Sequence, residues 1–129
     1  MSGSCALDTN IVIALFDGDG AVKRGLTQAE EVFIPSIVVG ELYYGARKSG
    51  RAEKNVTRVN EFITDNSILV VDAETADQYG IIKNKLRLKG RPIPENDMWI
   101  AALVLQHNFT LVTRDAHFKH VDGLDVVSW

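Results

Sequence analysis

Cysteine and long apolar runs are scarce in this sequence. A single cysteine, Cys5, stands among 129 residues, so no disulfide can form within the chain and a reducing compartment is expected. No apolar stretch approaches the length of a membrane span, and residues 1–4 have neither the basic nor the apolar region of a signal peptide. We therefore expect a cytoplasmic protein, and whether residues 1–4 are native or a cloning remnant is left open.

An excess of basic charge is also absent, because 14 Lys and Arg against 17 Asp and Glu give a net charge of −3. On its own this balance argues against a nucleic-acid partner, since phosphate binding favours basic proteins. Two local basic clusters oppose that conclusion, and each is either a solvated helix face or a contact surface for an RNA backbone. The clusters are Lys83, Lys85, Arg87, Lys89 and Arg91, and Arg47, Lys48, Arg51, Lys54 and Arg58.

Apolar side chains are abundant, at 46% of the residues, which is enough to build the core of one domain spanning residues 1–129. The apolar runs are short, are apolar on successive residues, and alternate with helical segments. This pattern is typical of a parallel sheet covered by helices on both faces. We predict a single three-layer α/β domain with about five strands, at residues 5–7, 32–34, 68–71, 111–112 and 126–127.

Helices are predicted from capping residues and from apolar positions at helical spacing. Asp72 is expected to cap a helix that ends at Gly90, and Asn96 is expected to cap an apolar, buried helix over residues 98–105. Thr9 or Asn10 is expected to cap the first helix. The remaining predicted helices cover residues 11–16, 21–31 and 37–47, and a segment with an apolar stripe from residue 56 to residue 63.

Two acids directly follow predicted strands. Asp8 comes after residues 5–7, and Asp115 comes shortly after residues 111–112. In an open parallel sheet, ligands bind outside the carboxyl ends of the strands, at the point where the strand order reverses. We therefore expect Asp8 and Asp115 at one edge of the sheet.

Two further acids stand at unusual positions. Asp97 falls in the first turn of its helix, where the helix dipole favours a negative charge, although many helices begin with Asp for stability alone. Glu41 has Ile37, Val38 and Tyr44 as neighbours one turn away, so it lies on an apolar helix face. It either pairs with a basic residue such as Arg47, lies at the edge of the stripe, or binds a cation.

Convergence of these carboxylates would be unfavourable without a cation. Two unit charges about 5 Å apart, at an effective dielectric near 20, repel by roughly 3 kcal/mol. Mg²⁺ or Mn²⁺ prefers oxygen ligands, keeps waters that a phosphate can replace, and lowers the pKa of bound water. The chemistry that such a site predicts is hydrolysis of a phosphodiester.

Four short motifs together resemble, in order and spacing, the PIN-domain ribonucleases, and most closely the VapC-type toxins of toxin–antitoxin modules. The likeness covers nearly the whole chain. Its motifs are Ala6-Leu7-Asp8-Thr9-Asn10, Glu41 within residues 36–42, Asn96-Asp97 followed by Ile100-Ala101-Ala102, and Thr113-Arg114-Asp115 followed by Phe118.

The resemblance implies an endoribonuclease that depends on Mg²⁺ or Mn²⁺. It implies direct metal ligands at Asp8 and Asp97, with Glu41 and Asp115 completing or orienting the shell through water. The other partners it implies are RNA as substrate, a small VapB-like antitoxin that lies in the active-site groove, and a second copy of the chain. The expected supporting residues are Thr9, Thr113, Asn96 and, for the RNA backbone, Arg114.

Other interpretations remain open. The acids of a PIN-like domain also suit a non-catalytic cation site in a partner-binding protein. A phosphotransfer or phosphatase domain shares an Asp after its first strand, but the phosphatase pattern needs an acid where Asn10 stands.

Neither cysteine nor glutamate accompanies His107, His117 or His120 in a zinc-like pattern, so we expect no transition-metal site there. Tyr43, Tyr44 and Trp99 either stack on bases or pack in a core or dimer interface.

Overall fold

The strands of the protein form one parallel sheet. A computed structural model describes residues 3–129, so the origin of Met1 and Ser2 lies outside the described residues. The sheet confirms the predicted α/β class. Its strands are β1 (Ser4–Leu7), β2 (Glu31–Pro35), β3 (Ser67–Leu69), β4 (Thr110–Val112) and β5 (Asp125–Val127).

The strand order is β3-β2-β1-β4-β5, with every neighbouring pair parallel. The chain adds β2 and β3 on one side of β1 and then crosses back to add β4 and β5 on the other. Ala6 of β1 is aligned with Phe33 of β2 and with Leu111 of β4, so β1 is the central strand. The strand order therefore reverses between β1 and β4.

Six α-helices connect these strands and flank the sheet. Asp19 caps the second helix by accepting from two backbone N–H groups, and Asp72 forms a reciprocal capping box with Thr75 on the fifth. Gly90 ends the fifth helix at φ 67°, a left-handed conformation that favours glycine. The helices are α1 (Thr9–Phe16), α2 (Gly20–Gln28), α3 (Ser36–Lys48), α4 (Ala52–Thr64), α5 (Ala73–Lys89) and α6 (Glu95–His107), and a 3-10 helix spans Ala116–His120.

Several boundaries differ from the sequence-based predictions, most clearly at three helix ends. The cap of α1 is Asp8 itself, and neither Thr9 nor Asn10, because Asp8 accepts from the backbone N–H of Thr9. Asn96 does not cap α6, because this helix begins at Glu95, one residue before Asn96, and its N-cap is Pro94. Glu31 belongs to β2, because α2 already ends at Gln28.

The third predicted strand is also shorter than expected. Its last two residues, Val70 and Val71, lie beyond β3 and are 64% and 42% exposed. This strand is at the edge of the sheet, so only one side of it has a pairing partner. The prediction from apolar character alone therefore made this strand too long at its end.

Helix α6 is apolar on nearly all sides and buried, as predicted. It contributes Met98, Ile100, Ala101, Ala102, Leu103 and Val104 to the core. Burying this helix fixes the position of its first turn, which carries Asp97. Within residues 3–129, no helix combines the length and the hydropathy that crossing a bilayer requires.

Candidate active site

The carboxyl ends of β1 and β4 lie side by side, and the parallel pairing continues one residue beyond both strands. The backbone N–H of Asp8 donates to the carbonyl of Val112 at 2.9 Å, and that of Thr113 donates to Val127 at 3.0 Å. This is the point where the strand order reverses, and ligands bind at such points in open parallel sheets. The residues that follow β1 and β4 thus lie at the predicted edge.

Asp8 is only 5% exposed and is surrounded by hydrogen-bond donors. Its Oδ1 accepts from the backbone N–H of Thr9 at 2.8 Å, and its Oδ2 accepts from the Thr113 hydroxyl at 2.7 Å and the Asn10 amide at 3.3 Å. Burial raises the pKa of Asp8 above its ordinary value, and the charges of Glu41 and Asp115 act in the same direction. The bonds from Thr113 and Thr9 lower that pKa without cancelling the effect of burial.

Asp97 enters the same space from the first turn of α6. Its Oδ2 lies 2.6 Å from Nε2 of His117. Burial raises the pKa of Asp97, the His117 contact lowers it, and the nearby charges of Asp8 and Glu41 raise it again. The buried helix therefore holds an ionisable carboxyl close to two others.

Glu41 lies on α3 with polar partners from two other elements. Its Oε1 accepts from the Thr9 hydroxyl at 2.6 Å, and its Oε2 is 3.5 Å from the Asn96 amide nitrogen. Among the described residues, no salt bridge joins Glu41 to Arg47 or to any other basic side chain. Its position on an apolar helix face is thus not explained by ion pairing.

Asp115 caps the 3-10 helix after β4. Its Oδ1 lies 3.3 Å from the backbone nitrogen of His117 and 2.7 Å from Nδ1 of the same residue. Its own backbone N–H donates to the Thr113 hydroxyl at 3.0 Å. Asp115 and Asp97 therefore contact opposite nitrogens of one imidazole ring.

All four predicted acids line one open pocket. Its volume is about 620 Å³, and it is bordered by the ends of β1 and β4, by α3 and by the start of α6. The structure therefore brings together carboxylates that are up to 107 residues apart in the sequence. The lining residues are Asp8, Thr9, Asn10, Ile13, Glu41, Pro94, Glu95, Asn96, Asp97 and Asp115.

The expected supporting residues differ in how they reach the pocket. Thr9 and Asn96 line it and contact Glu41, whereas Thr113 lies beneath Asp8 and is 2% exposed. The Arg114 guanidinium is engaged elsewhere, with Nη2 3.0 Å from Asp19 and Nε 2.7 Å from the Trp129 carbonyl oxygen. Only the backbone N–H of Arg114 supports the site, by donating to Asn10 at 3.3 Å.

His117 is the site residue that the sequence interpretation missed as a possible ligand. Asp97, Asp115 and His117 each offer one ligand atom, and these atoms lie within 4.8 Å of one another. These three residues form no zinc-like pattern in the sequence, because Asp97 lies on α6 whereas Asp115 and His117 follow β4. The Asp115-Ala116-His117 spacing was the local signal, since it places an acid and an imidazole on one short turn.

The donor set fits a divalent cation. Carboxylate oxygens predominate, and hard cations such as Mg²⁺ and Mn²⁺ prefer oxygen. Asp8 and Asp97 both have raised pKa values, with burial as the main cause and neighbouring acids adding to it. A cation in the pocket would compensate for both effects. The fold by itself does not explain why four acids meet here.

A comparison with protein families decides the classification. The sequence model of the PIN domain matches residues 5–124. The chain belongs to the PIN-domain family. This PIN domain has all four of its predicted site acids within the matched range.

Relatives of this PIN domain include bacterial VapC ribonucleases and the VapC chain of a solved VapBC2 structure. A ribonuclease VapC2 from Haemophilus influenzae is 35% identical over 126 residues, covering 95% of this chain and 96% of the relative. A tRNA(fMet)-specific endonuclease VapC from Shigella flexneri is 33% identical over 127 residues, with the same coverage. The fold matches the crystal structure of VapBC2 from Rickettsia felis bound to a promoter DNA fragment, with a TM-score of 0.91, 30% identity and 98% coverage of both chains.

Proposed function

We propose that residues 1–129 form one PIN-like nuclease domain that acts as a divalent-metal-dependent endoribonuclease, the toxin of a toxin–antitoxin pair. The observation that carries this proposal is the meeting of Asp8, Glu41, Asp97 and Asp115 around one open pocket at the switch point of the sheet. The relatives named as VapC ribonucleases support the same function. Since its substrate would be RNA, we expect the protein to act in the cytoplasm.

Asp8 and Asp97 would hold the cation directly. Thr113 and the backbone N–H of Thr9 fix the orientation of the Asp8 carboxylate. The fixed first turn of α6 does the same for Asp97. When bound, Mg²⁺ or Mn²⁺ supplies a polarised water and neutralises charge at the phosphorus. Asp115 would complete or orient the metal shell.

Glu41 is the best-placed residue to orient the attacking water and accept its proton. The Thr9 hydroxyl holds Oε1 at 2.6 Å, whereas the only hydrogen bond to Oε2 among the described residues is the long one from Asn96 at 3.5 Å. Oε2 therefore keeps lone pairs that can orient a water and accept its proton. The open form of the pocket leaves room for a phosphodiester and its two flanking nucleotides.

We propose a small VapB-like antitoxin and a second copy of the chain as protein partners. The neighbour from Rickettsia felis is described as a VapBC2 complex, which supports the antitoxin. An apolar groove adjoins the active-site pocket and shares Ile13 and Glu41 with it, so a bound peptide could block both.

The nuclease assignment is tested by incubating the protein with single-stranded RNA, with Mg²⁺, with Mn²⁺ or with EDTA. We expect cleavage that EDTA abolishes and that Asp97→Asn lowers by at least about a thousandfold, since one metal-binding carboxylate contributes several kcal/mol. The matched control is Asp77→Asn, an exposed acid on α5. Cleavage that survives EDTA or Asp97→Asn would contradict the assignment. Metal binding without cleavage would favour the non-catalytic partner-binding protein.

A further inference from the structure

One residue beside the pocket, in contact with two of its acids, differs in chemistry from them. His117 presents both ring nitrogens to carboxylates, with Nε2 2.6 Å from Asp97 and Nδ1 2.7 Å from Asp115. The ring is 28% exposed, and its two partners are 15% and 38% exposed. The imidazole is thus held within the acidic cluster and does not project freely into solvent.

This arrangement is the one that proteins use to orient a metal-binding histidine. A ligating imidazole typically donates its other ring N–H to a carboxylate, which fixes both the tautomer and the ring plane. Asp115 stands at Nδ1 in that position, and its Oδ1 also lies 3.3 Å from the backbone nitrogen of His117. Nε2 is left facing Asp97, which is itself an expected metal ligand.

We propose that Nε2 of His117 is a nitrogen ligand of the divalent cation, alongside Asp97, and that Asp115 orients the ring instead of ligating directly. This inference rests on the proposed metal-dependent function. Neighbouring ligands of an octahedral ion lie about 3 Å apart. The observed 2.6 Å contact therefore has to open by about half an ångström when the ion binds.

A nitrogen ligand changes which ion the site prefers. Mg²⁺ is a hard cation that favours carboxylate and water, whereas imidazole suits transition-metal ions. The site is accordingly selective for a transition-metal dication over Mg²⁺, and Mn²⁺ is the probe that accepts both kinds of ligand. Without His117 the pocket keeps its carboxylates and becomes an all-oxygen site.

The test uses the whole chain without RNA, loaded with Mn²⁺, and pulsed electron paramagnetic resonance to detect coupling to ¹⁴N of a bound imidazole. We expect this coupling in the parent protein and its loss in His117→Asn and in His117→Gln. Mn²⁺ affinity, measured by titration, should fall about tenfold in both variants, and Mg²⁺ affinity, measured by competition, should change by less than about threefold. The matched control is His107→Asn, an exposed histidine at the end of α6.

Thermal unfolding of the metal-free proteins identifies any variant that does not fold, and the longer amide of Gln provides a second variant if Asn is poorly tolerated. Absence of ¹⁴N coupling in the parent, its persistence in the variants, or equal losses of Mn²⁺ and Mg²⁺ affinity would overturn the inference. If Mn²⁺ binds and supports RNA cleavage without that coupling, only the role of His117 fails. If neither Mn²⁺ nor Mg²⁺ binds, the proposed function fails with it.

Discussion

The hydroxyl of Thr113 connects two of the site acids. It donates to Oδ2 of Asp8 at 2.7 Å and accepts from the backbone N–H of Asp115 at 3.0 Å. Both bonds are shielded from water, since the side chain is 2% exposed. A buried carboxylate that loses a donor carries a desolvation penalty that water cannot relieve.

Thr113→Val should therefore lower the free energy of unfolding by about 1–3 kcal/mol. The chain offers a matched control in Thr110, which is equally buried at the start of β4 but whose hydroxyl has no hydrogen-bond partner within residues 3–129. Thr110→Val should be neutral or stabilising. Urea denaturation of both variants measures the difference, and equal losses would mean that the Thr113 bonds contribute nothing.

Asp97→Asn should be at least as stable as the parent at neutral pH without metal. In the folded protein the pKa of Asp97 is raised above its ordinary value of 3.8. The protonated Asp97 carboxyl therefore contributes its full stabilisation below pH 3.8, and this contribution is lost as the pH rises through the raised pKa. Asn does not titrate and escapes this loss. The stability difference between variant and parent should thus grow as the pH rises from about 4 through the raised pKa. A parent that is clearly more stable at pH 7 would instead mean that its bond to His117 dominates.

At the scale of elements, α5 and α6 differ at their N-termini, although the sequence predicts a capping residue for each. Helix α5 has a side-chain cap and α6 has none. Asp72 accepts from the backbone N–H and the hydroxyl of Thr75 and from the Gln106 amide. Asn96 lies inside the first turn of α6, and within residues 3–129 its amide hydrogen-bonds to Glu41 alone.

Asp72→Ala should accordingly cost about 0.5–2 kcal/mol of stability, whereas Asn96→Ala should change stability by less than about 0.5 kcal/mol. Thermal unfolding distinguishes the two variants. RNA cleavage should respond in the opposite order, because only Asn96 borders the pocket. A large stability loss in Asn96→Ala would indicate that it serves as a cap after all.

The sequence alone predicted the α/β class, the five strands and the acids that the structure brings together, because strand ends and helix starts have local signals. Asp8 and Asp115 were placed by the strands that precede them. What the sequence could not supply were contacts between distant segments. No transition-metal site was expected at His117 because no cysteine or glutamate accompanies it in a zinc-like pattern, and Asp97, which contacts its ring, lies on a separate helix. The guanidinium of Arg114 was expected to contact RNA, and in the structure it contacts Asp19 and the Trp129 carbonyl oxygen.

At the scale of the whole molecule, Trp129 is anchored against α2. Arg114 holds its carbonyl, and its ring packs so closely on Gly25 that an added Cβ would lie 2.3 Å from a ring carbon. Gly25 therefore admits the ring because it has no side chain. This contact joins the residues that follow β5 to helix α2, which lies about a hundred residues earlier in the sequence.

Gly25→Ala should lower the midpoint of thermal unfolding, with a cost of about 1–3 kcal/mol from overpacking. Gly80→Ala is the matched control, because it also lies within a helix but has open space around it. That substitution should stabilise the protein by up to about 1 kcal/mol, since Ala is the better helix former. A neutral Gly25→Ala would show that the Trp129 ring moves aside freely.

The sheet order also has a consequence for biosynthesis. The central strand β1 precedes its neighbour β4, together with Thr113 and Asp115, by about a hundred residues. A growing polypeptide on the ribosome thus lacks half of the pocket until these later residues have been made. If this chain cuts RNA, the order of synthesis keeps it harmless to the machinery that is making it.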